Sequence, residues 1–522
     1  MSHVDDTMAP AQPRYPLLAP PAFAAGYPAS TARPSSIFNF VGATPDATLT
    51  VRRVLEENNR AYDVYMRARF AHNHFSHSIL SRYALGAPPA LLQKTWEADR
   101  GVLVPLDPAT EPDRDGPDIS STFPAAITTA NWASKATLGK KPAYPLYLAF
   151  FHGEVARLGV VPTIETYLLS ADANGGGDGS ELLIRLVAGA THPFIHLGLG
   201  VEFGERLLVA EALASAALHD HRVNVGLFPH GWPQIGLPQS ADGNATLLEI
   251  YAALVADPRL DPGPFDPELT YSEGMRASVA GERAGVIQRL VARWDLSDVG
   301  DAALPRHIEE VAWLATLIAG GTSKPGYPTR VDFFLMHVLT SSIFLPALLP
   351  PLGGNGRRII LQTYVLTILQ IALARGRPKL YPAESMSWTA TPAPKAPAPP
   401  RATDVIGDTA SAAERSPWLA IVANSIVATD SHVPKSIRAL LHYAQMYGAT
   451  QAGAVPGANK IPGGEALDGS LFVRVAGRIM DVTGWVAAGE RERRWDRSGL
   501  GWDEVWDMPD FERPIETAKT VE

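Results

Sequence analysis

The sequence contains no cysteine among its 522 residues. This absence excludes disulfide bridges, thiolate nucleophiles, iron–sulfur clusters and cysteine-based zinc sites. A metal ion bound by this chain must therefore be held by His, Asp, Glu or a modified residue. The sequence also lacks the HExxH, G-x-S-x-G and GxGxxG patterns of zinc proteases, serine hydrolases and dinucleotide-binding folds, so none of these classes is indicated.

Positive charge is in deficit, with 45 Lys and Arg against 54 Asp and Glu, a net charge of −9 and a pI near 5.9. Nucleic-acid binding needs clustered basic residues to contact phosphates, so we expect no nucleic-acid partner. The first residues, Met1 to Asp6, lack the basic start and apolar segment of a secretory signal. We therefore predict a cytoplasmic location.

Long uninterrupted apolar runs are nearly absent. Residues 333–352 are long enough to span a membrane, but they include His337 and the Pro350-Pro351 pair. The run at 359–374 is too short. We interpret both as buried helices and expect no membrane partner.

The chain is predicted to be mainly α, forming one large helical domain with few short strands. Residues 1–45, rich in Pro and Ala, are predicted to be a disordered tail, and residues 389–416 a flexible Pro/Ala-rich insertion. The insertion divides the helical domain into a first part, 46–388, and a C-terminal part, 417–522. Strand-like alternation occurs at 471–480. Apolar residues recur at helical intervals over 49–85, 144–159, 164–169, 181–223, 247–256, 281–293, 307–318, 330–345 and 359–374.

Histidines are concentrated in four stretches with apolar flanks. Imidazole is the commonest metal ligand and titrates near neutral pH, so convergence of these stretches would build an active site. The alternative is that each imidazole is a buried core residue with hydrogen-bond partners. The stretches are His72-Asn73-His74-Phe75-Ser76-His77, His192-Pro193-Phe194-Ile195-His196, Met336-His337, and Ser431-His432-Val433-Pro434-Lys435.

Helical geometry ranks the histidines within the first two stretches. In a helix over 72–77, His74 and His77 would share a face at i, i+3 spacing, whereas His72 would point away. Pro193 biases the residue before it out of the α region, which favours His196 over His192. His219 and His221 flank Asp220 without sharing a helical face, so we expect them at the surface.

The last two stretches place polar groups in apolar surroundings. His337 lies in the most apolar helix, where either a metal or a backbone carbonyl would satisfy its ring. Pro434 fits the first turn of a helix, which puts His432 and Lys435 at its N-terminus. The positive end of the helix dipole disfavours a protonated lysine. A neutral lysine can form a Schiff base or react with CO2 to give a carbamate, an anionic oxygen ligand.

These motifs, in this order, resemble the questin oxidase-like family of fungal aromatic polyketide pathways. The resemblance also includes Tyr83-Ala84-Leu85-Gly86-Ala87, Glu202, and Glu211-Ala212-Leu213, and it covers residues 49–485. It implies oxidation of an anthraquinone-type ring with ring opening, and therefore an aromatic polyketide and O2 as partners.

The resemblance to ring-cleaving members of this family further implies a non-heme Fe(II) centre held by four histidines and a carboxylated lysine. The implied ligands are His77, His196, His337, His432 and Lys435. His74 is either a replacement for His77 or a catalytic residue, and Glu202 is a catalytic-site carboxylate that orients a histidine N–H. Two alternatives stay open: an NADPH-dependent Baeyer-Villiger monooxygenase, and a helical binding protein without catalysis.

Overall fold

The computed structural model describes residues 44–508, with gaps at 67–70, 107–121, 175–179, 230, 235, 242, 396–405 and 407–410. The predicted tail at 1–45 lies outside the described residues except for its last two positions. Half of the predicted insertion at 389–416 also lies outside them. The proposed boundaries of these segments therefore stay predictions.

The described residues are mainly α-helical, which confirms the predicted fold class. The helices in the first half of the chain are α1 (Pro45–Ala61), α2 (Phe75–Ala84), α3 (Pro89–Asp99), α4 (Tyr144–Leu158), α5 (Val160–Ile164), α6 (Ala171–Asn174), α7 (Leu182–Leu186), α8 (His192–Glu202), α9 (Arg206–Leu218) and α10 (Leu247–Ala256). Those in the second half are α11 (Tyr271–Ser278), α12 (Arg283–Val291), α13 (Leu304–Gly320), α14 (Phe333–Ser342), α15 (Leu345–Leu348), α16 (Gly354–Ala374), α17 (Pro382–Ser387), α18 (Pro417–Ser425), α19 (His432–Tyr447) and α20 (Leu471–Thr483). A π-helical turn, Glu165–Leu169, continues α5.

A small sheet interrupts the helix predicted over 49–85. Helix α1 ends at Ala61, and strand β1 (Tyr62–Met66) follows and pairs antiparallel with β2 (Leu103–Pro105). The β1 segment is rich in aromatic and β-branched residues, which favour extended backbone. The chain then folds back so that His72 bridges to Tyr65, and α2 begins only at Phe75.

The strand-like prediction for residues 471–480 is wrong, because this segment forms most of α20. Its buried residues follow helical spacing, with Leu471, Val475 and Ile479 on the buried side, while Arg474 and Arg478 lie toward its edge. The run of apolar residues resembled a strand only over a short window.

Four helices that carry the histidine stretches pack against one another in a closed ring. Helix α2 contacts α8 and α19, and α14 contacts the same two helices. The fold thus brings together four segments that are separated by as many as 358 positions between His74 and His432.

Two glycines allow α8 to approach its neighbours closely. A Cβ atom at Gly198 would lie 2.2 Å from the Phe344 side chain, and one at Gly200 would lie 2.8 Å from the Val209 backbone. These glycines therefore serve close packing around the ring of helices.

Helix α16, Gly354–Ala374, is the one described helix with the length and apolar composition that could cross a membrane. In this structure 89% of its most apolar window is buried inside the protein. Its apolar character is accounted for by packing in the core, in line with the interpretation of the run at 359–374 as a buried helix.

Candidate metal centre

One nitrogen from each of four histidines lies within 4.8 Å of the others: His74, His192, His337 and His432. His192 and His432 are the first residues of α8 and α19, His74 immediately precedes α2, and His337 lies within α14. His74 is partly accessible, whereas the other three are buried. Neutral imidazoles in this arrangement are suited to binding a transition-metal ion.

The orientation of three of these rings is fixed by hydrogen bonds from Nδ1. His192 Nδ1 lies 2.5 Å from the Gly189 carbonyl, and His337 Nδ1 lies 2.8 Å from the Phe333 carbonyl. His432 Nδ1 lies 2.7 Å from a carboxylate oxygen of Asp430. Because these oxygens only accept hydrogen bonds, each Nδ1 carries the proton and each Nε2 keeps its lone pair. This is how outer residues usually orient metal-binding histidines.

The Nε2 atoms at the centre lack ordinary partners. Those of His337 and His432 are buried without a hydrogen bond to any described residue. The Nε2 atoms of His74 and His192 lie 2.8 Å apart. A buried polar atom without a partner costs about 1–3 kcal/mol. A metal ion at the centre would remove this cost, so the residues present fit a bound metal.

Lys435 adds an amine to this cluster, one turn after His432 on α19. It is 5% exposed, and its Nζ has no hydrogen-bond partner among the described residues. Burial lowers the pKa of Lys435 to about 7, with Asp430 opposing the shift. A large fraction of the amine is therefore neutral near pH 7.

Burial is also the main cause that lowers the pKa of each clustered histidine well below its ordinary value. The charge of Lys435 contributes to the lowered pKa of His74, His77, His192, His337 and His432. These imidazoles are consequently neutral at physiological pH, which is the form that binds metals.

His77 and His196 lie beside this cluster and contact each other. His77 Nε2 lies 3.2 Å from His196 Nδ1, and His196 Nε2 lies 2.5 Å from Glu211. Glu211 accepts a second hydrogen bond from Asn59 at 2.6 Å. Both nitrogens of His196 are therefore engaged, while His77 Nδ1 is buried without a partner.

Glu202 does not orient a histidine, which is the role suggested for it from the sequence. It forms a buried ion pair with Arg438 rather than a hydrogen bond to a histidine. A buried guanidinium needs a carboxylate to offset its desolvation, which explains this pairing. The carboxylates that contact histidines at the centre and beside it are Asp430 and Glu211, and their positions in the sequence gave no direct sign of this role.

The predictions for the histidines that were not chosen as ligands from the sequence also require correction. His192 belongs to the converging group because Pro193 occupies the first turn of α8 and the helix begins at His192 itself. His219 is buried rather than exposed, and its Nε2 lies 2.6 Å from that of His72. The His72 ring in turn stacks on His192, with centroids 4.0 Å apart. His221 contacts Glu181.

A cavity of about 510 Å³ reaches this centre. His74, His192 and His432 line one side, together with the His72 and His219 pair. The remaining wall is mostly aromatic and apolar, formed by Tyr65, Met66, Phe75, Tyr271, Met275, Phe333 and Phe334 among others. Its size and lining suit a flat aromatic ligand of small-molecule size.

An unusual turn places His192. Gly189, Ala190 and Thr191 have φ values of 55°, 50° and 66°, so three successive residues adopt the left-handed region before α8. This conformation costs on the order of 1–3 kcal/mol for each residue other than glycine. Strain of this kind persists where the surrounding structure enforces it, here next to a clustered histidine.

We predict that Gly189→Ala destabilises the protein by about 2 kcal/mol or more, because the left-handed backbone disfavours a Cβ atom. That Cβ would also lie 2.7 Å from the His219 ring. Denaturant unfolding measures the change. Gly153→Ala in α4, where a Cβ meets nothing within 4 Å, should be neutral or slightly stabilising. Equal stability of both variants would contradict this account.

A family model described as questin oxidase-like matches residues 71–440, a span that includes every histidine of the cluster and Lys435. The chain belongs to the questin oxidase-like family. This agrees with the resemblance seen in the motif order, and the matched region contains α2, α8, α14 and the first nine residues of α19.

Named relatives support this family membership. The chain is 30% identical to questin oxidase of Aspergillus fumigatus over 308 residues, which cover 58% of this chain and 65% of that protein. Baeyer-Villiger monooxygenase dmxR6 of Cryptosporiopsis is 29% identical, with 58% and 64% covered. Baeyer-Villiger monooxygenase AacuH of Aspergillus aculeatus is 25% identical over 499 residues, 93% of this chain and 94% of that protein. The chain thus aligns with slightly under two thirds of the first two relatives and with nearly all of the third.

Proposed function

We propose that this questin oxidase-like protein oxidatively opens a ring of a fused aromatic polyketide, using O2 at a non-heme Fe(II) centre. The observation that carries the proposal is the convergence of His74, His192, His337 and His432 beside an aromatic cavity, with an unprotonated Nε2 on His192, His337 and His432. The names of the relatives, questin oxidase and Baeyer-Villiger oxidase, support oxidative ring opening.

The proposed ligands are these four histidines and a carbamate on Lys435. Three of the sequence-based ligands, His337, His432 and Lys435, are kept in this set. His77 and His196 stay predicted alternatives to His74 and His192. A ferrous ion held by this set would supply the electron-transfer chemistry that O2 needs to react with an organic ring. Four imidazoles and one oxygen anion would leave one position open among six.

The chain's own residues orient the imidazoles and exclude water from the cavity. The Nδ1 hydrogen bonds to Gly189, Phe333 and Asp430 hold three imidazoles in the ligand tautomer. The Tyr271 and Phe334 rings stack on each other at 4.2 Å with nearly parallel planes, and both line the cavity, so they give its wall an aromatic surface. An aromatic substrate would lie against such a surface, and its displacement of water would strengthen polar interactions at the centre.

The deciding experiment measures iron and oxygen together. Protein purified without oxygen should contain about one iron per chain and should consume O2 when given a hydroxylated anthraquinone, with no NADPH added. Chelator-treated protein should lose the activity and regain it with Fe(II). Unchanged O2 uptake after complete iron removal would contradict the proposal.

The names of several relatives also favour a second candidate, an NADPH-dependent Baeyer-Villiger monooxygenase. In that case metal-free protein should oxidise the same substrate only when NADPH is present. The reaction mixtures with and without NADPH therefore separate the two candidates directly.

A further inference from the structure

Arg497 lies at the wall of the cavity, close to the metal centre. Its guanidinium is 3.8 Å from the centroid of the Phe333 ring. The same ring packs edge-on against His337 and His432, with centroids 5.0 and 4.8 Å away. One aromatic ring thus separates a cation from two of the clustered histidines.

The donors of Arg497 are available for a ligand. Among the described residues, the Arg497 side chain has no hydrogen bond or ion pair. The carboxylates that attract it electrostatically, Asp332 and Asp430, are already occupied. Asp332 accepts from Arg375 at 3.0 and 2.9 Å, and Asp430 accepts from His432 and Trp495. Arg497 is an exposed residue. Partial desolvation by the surrounding protein lowers its pKa, and Asp430 and Asp332 oppose this shift.

The backbone of this arginine is held in place while its side chain reaches the cavity. The Arg497 carbonyl accepts a hydrogen bond from Arg375 at 2.7 Å. The preceding Asp496 pairs with Arg330 at 2.7 Å and bridges to Asp332. The guanidinium is therefore presented from a fixed segment, which limits the entropy lost when a ligand binds.

The other cations of the cavity wall are placed differently. Lys141 lies 4.2 Å from the Tyr65 ring. Arg276 on α11 lines the cavity and is exposed, as Arg497 is. Arg497 differs in that its guanidinium lies over Phe333, the ring that also packs against His337 and His432.

We propose that Arg497 binds an anionic oxygen on the aromatic substrate, a phenolate or a carboxylate, and thereby sets which ring faces the metal centre. A guanidinium offers five N–H donors in a planar fork, which suits such an oxygen. Most of the lining area is apolar, so a cation held against the Phe333 ring favours one orientation of a flat ligand. The inference rests on the proposed function, since it assigns the cavity to the substrate.

The test measures ligand binding without turnover, using the full-length protein as purified under anaerobic conditions. The probes are anthraquinone-2-carboxylate, 2-hydroxyanthraquinone at a pH where it is ionised, and uncharged 2-methylanthraquinone. Arg497→Met should weaken binding of the anionic probes about 10- to 100-fold, the range expected for lost hydrogen bonds to a charged group. Binding of 2-methylanthraquinone should change by less than about threefold.

Two further variants make the result specific. Arg497→Lys keeps the charge but loses the fork, so its affinity for the carboxylate should lie between those of wild type and Arg497→Met. Arg491→Met removes an exposed arginine of the same segment that does not line the cavity, and it should bind all probes normally. Thermal melting confirms that each variant is folded. Weaker binding of the carboxylate alone, or of the phenolate alone, identifies the oxygen to which Arg497 donates, and weaker binding of both shows that it donates to either.

Equal weakening of charged and uncharged probes would overturn the inference, because Arg497 would then only support Phe333. Unchanged binding of the anions, or absence of anion binding by wild type, would also overturn it. Iron content and O2 uptake are measured separately. If the protein contains no iron, a charge-selective effect of Arg497→Met on ligand binding can still be measured. If Arg497→Met has no such effect, iron content and O2 uptake can still be measured.

Discussion

Replacement of His192 by alanine is expected to remove most of the iron from the purified protein, whereas replacement of His196 is expected to leave much of it bound. His192 Nε2 keeps its lone pair and lies 2.8 Å from His74 Nε2. His196 uses both nitrogens, one with His77 and one with Glu211. Loss of a ligand should lower iron affinity by more than about 100-fold. Loss of a neighbouring residue should cost about tenfold, at the lower end of the effects known for outer residues.

Metal analysis by mass spectrometry, together with a competition titration against a chelator, measures both variants. His307→Ala is a matched control, because this buried histidine of α13 hydrogen bonds to the Asp298 carbonyl and belongs to neither histidine set. It should lose stability but retain iron. Retention of iron by His192→Ala together with its loss from His196→Ala would contradict the proposed set and favour the ligands suggested by the sequence.

The choice between these two histidines illustrates what could be predicted from the sequence. The histidine stretches were identified from composition and apolar flanks, and three of the predicted ligands recur in the proposed set. Within the second stretch, the rule that a residue before proline avoids the helix favoured His196. The structure begins α8 at His192, in the same way that α19 begins at His432 with Pro434 two residues on. Periodicity does not reveal where a helix begins, and this start decides which imidazole faces the centre.

In the fold as well, features set by neighbouring residues in the sequence could be predicted, whereas features set by tertiary contacts could not. Helix α10 has the predicted bounds, 247–256, because its apolar period is reinforced by a capping box between Thr246 and Glu249. The left-handed turn before His192 has no such local signal, since Ala190 and Thr191 prefer other conformations. Burial of His219 likewise depends on His72, which lies 147 residues away. Contacts of this range are set by packing of the whole chain.

The second prediction concerns Lys435, whose buried amine we expect to make the stability of the protein depend on pH. Burial gives the folded protein a pKa of about 7, against an ordinary value of 10.5. Between these pH values the unfolded chain binds more protons than the folded chain, so unfolding free energy should rise with pH, by at most about 1.4 kcal/mol per unit. Below about pH 7 Lys435 is protonated in both states, so its contribution to the unfolding free energy is constant and unfavourable. Chelator-treated Lys435→Met in CO2-free buffer should lack this rise, and parallel pH curves for both proteins would contradict the lowered pKa.

A neutral Lys435 amine can add to CO2, forming an N–C bond and releasing a proton, and the resulting carbamate would complete the proposed ligand set. We expect wild-type protein depleted of CO2 to bind iron at least about 100-fold more weakly, as after loss of a ligand, and to recover when bicarbonate is added. At fixed CO2 pressure, recovery should increase from pH 6 to pH 8, because the free amine rises from about a tenth to about nine tenths.

Three variants and one spectrum decide whether Lys435 acts in this way. Lys435→Met should stay iron-poor with or without bicarbonate, since no amine is present. Lys435→Ala leaves a space in which a small carboxylate such as propionate can replace the carbamate, so propionate should restore part of its iron binding. Lys460→Ala is the control, because this exposed lysine lies outside the cavity and should respond to bicarbonate like the wild type. Carbon-13 NMR of wild type with labelled bicarbonate should show a carbamate signal that is absent from Lys435→Met. Full iron binding by Lys435→Met without bicarbonate would show that the four histidines suffice and that the buried amine has another role.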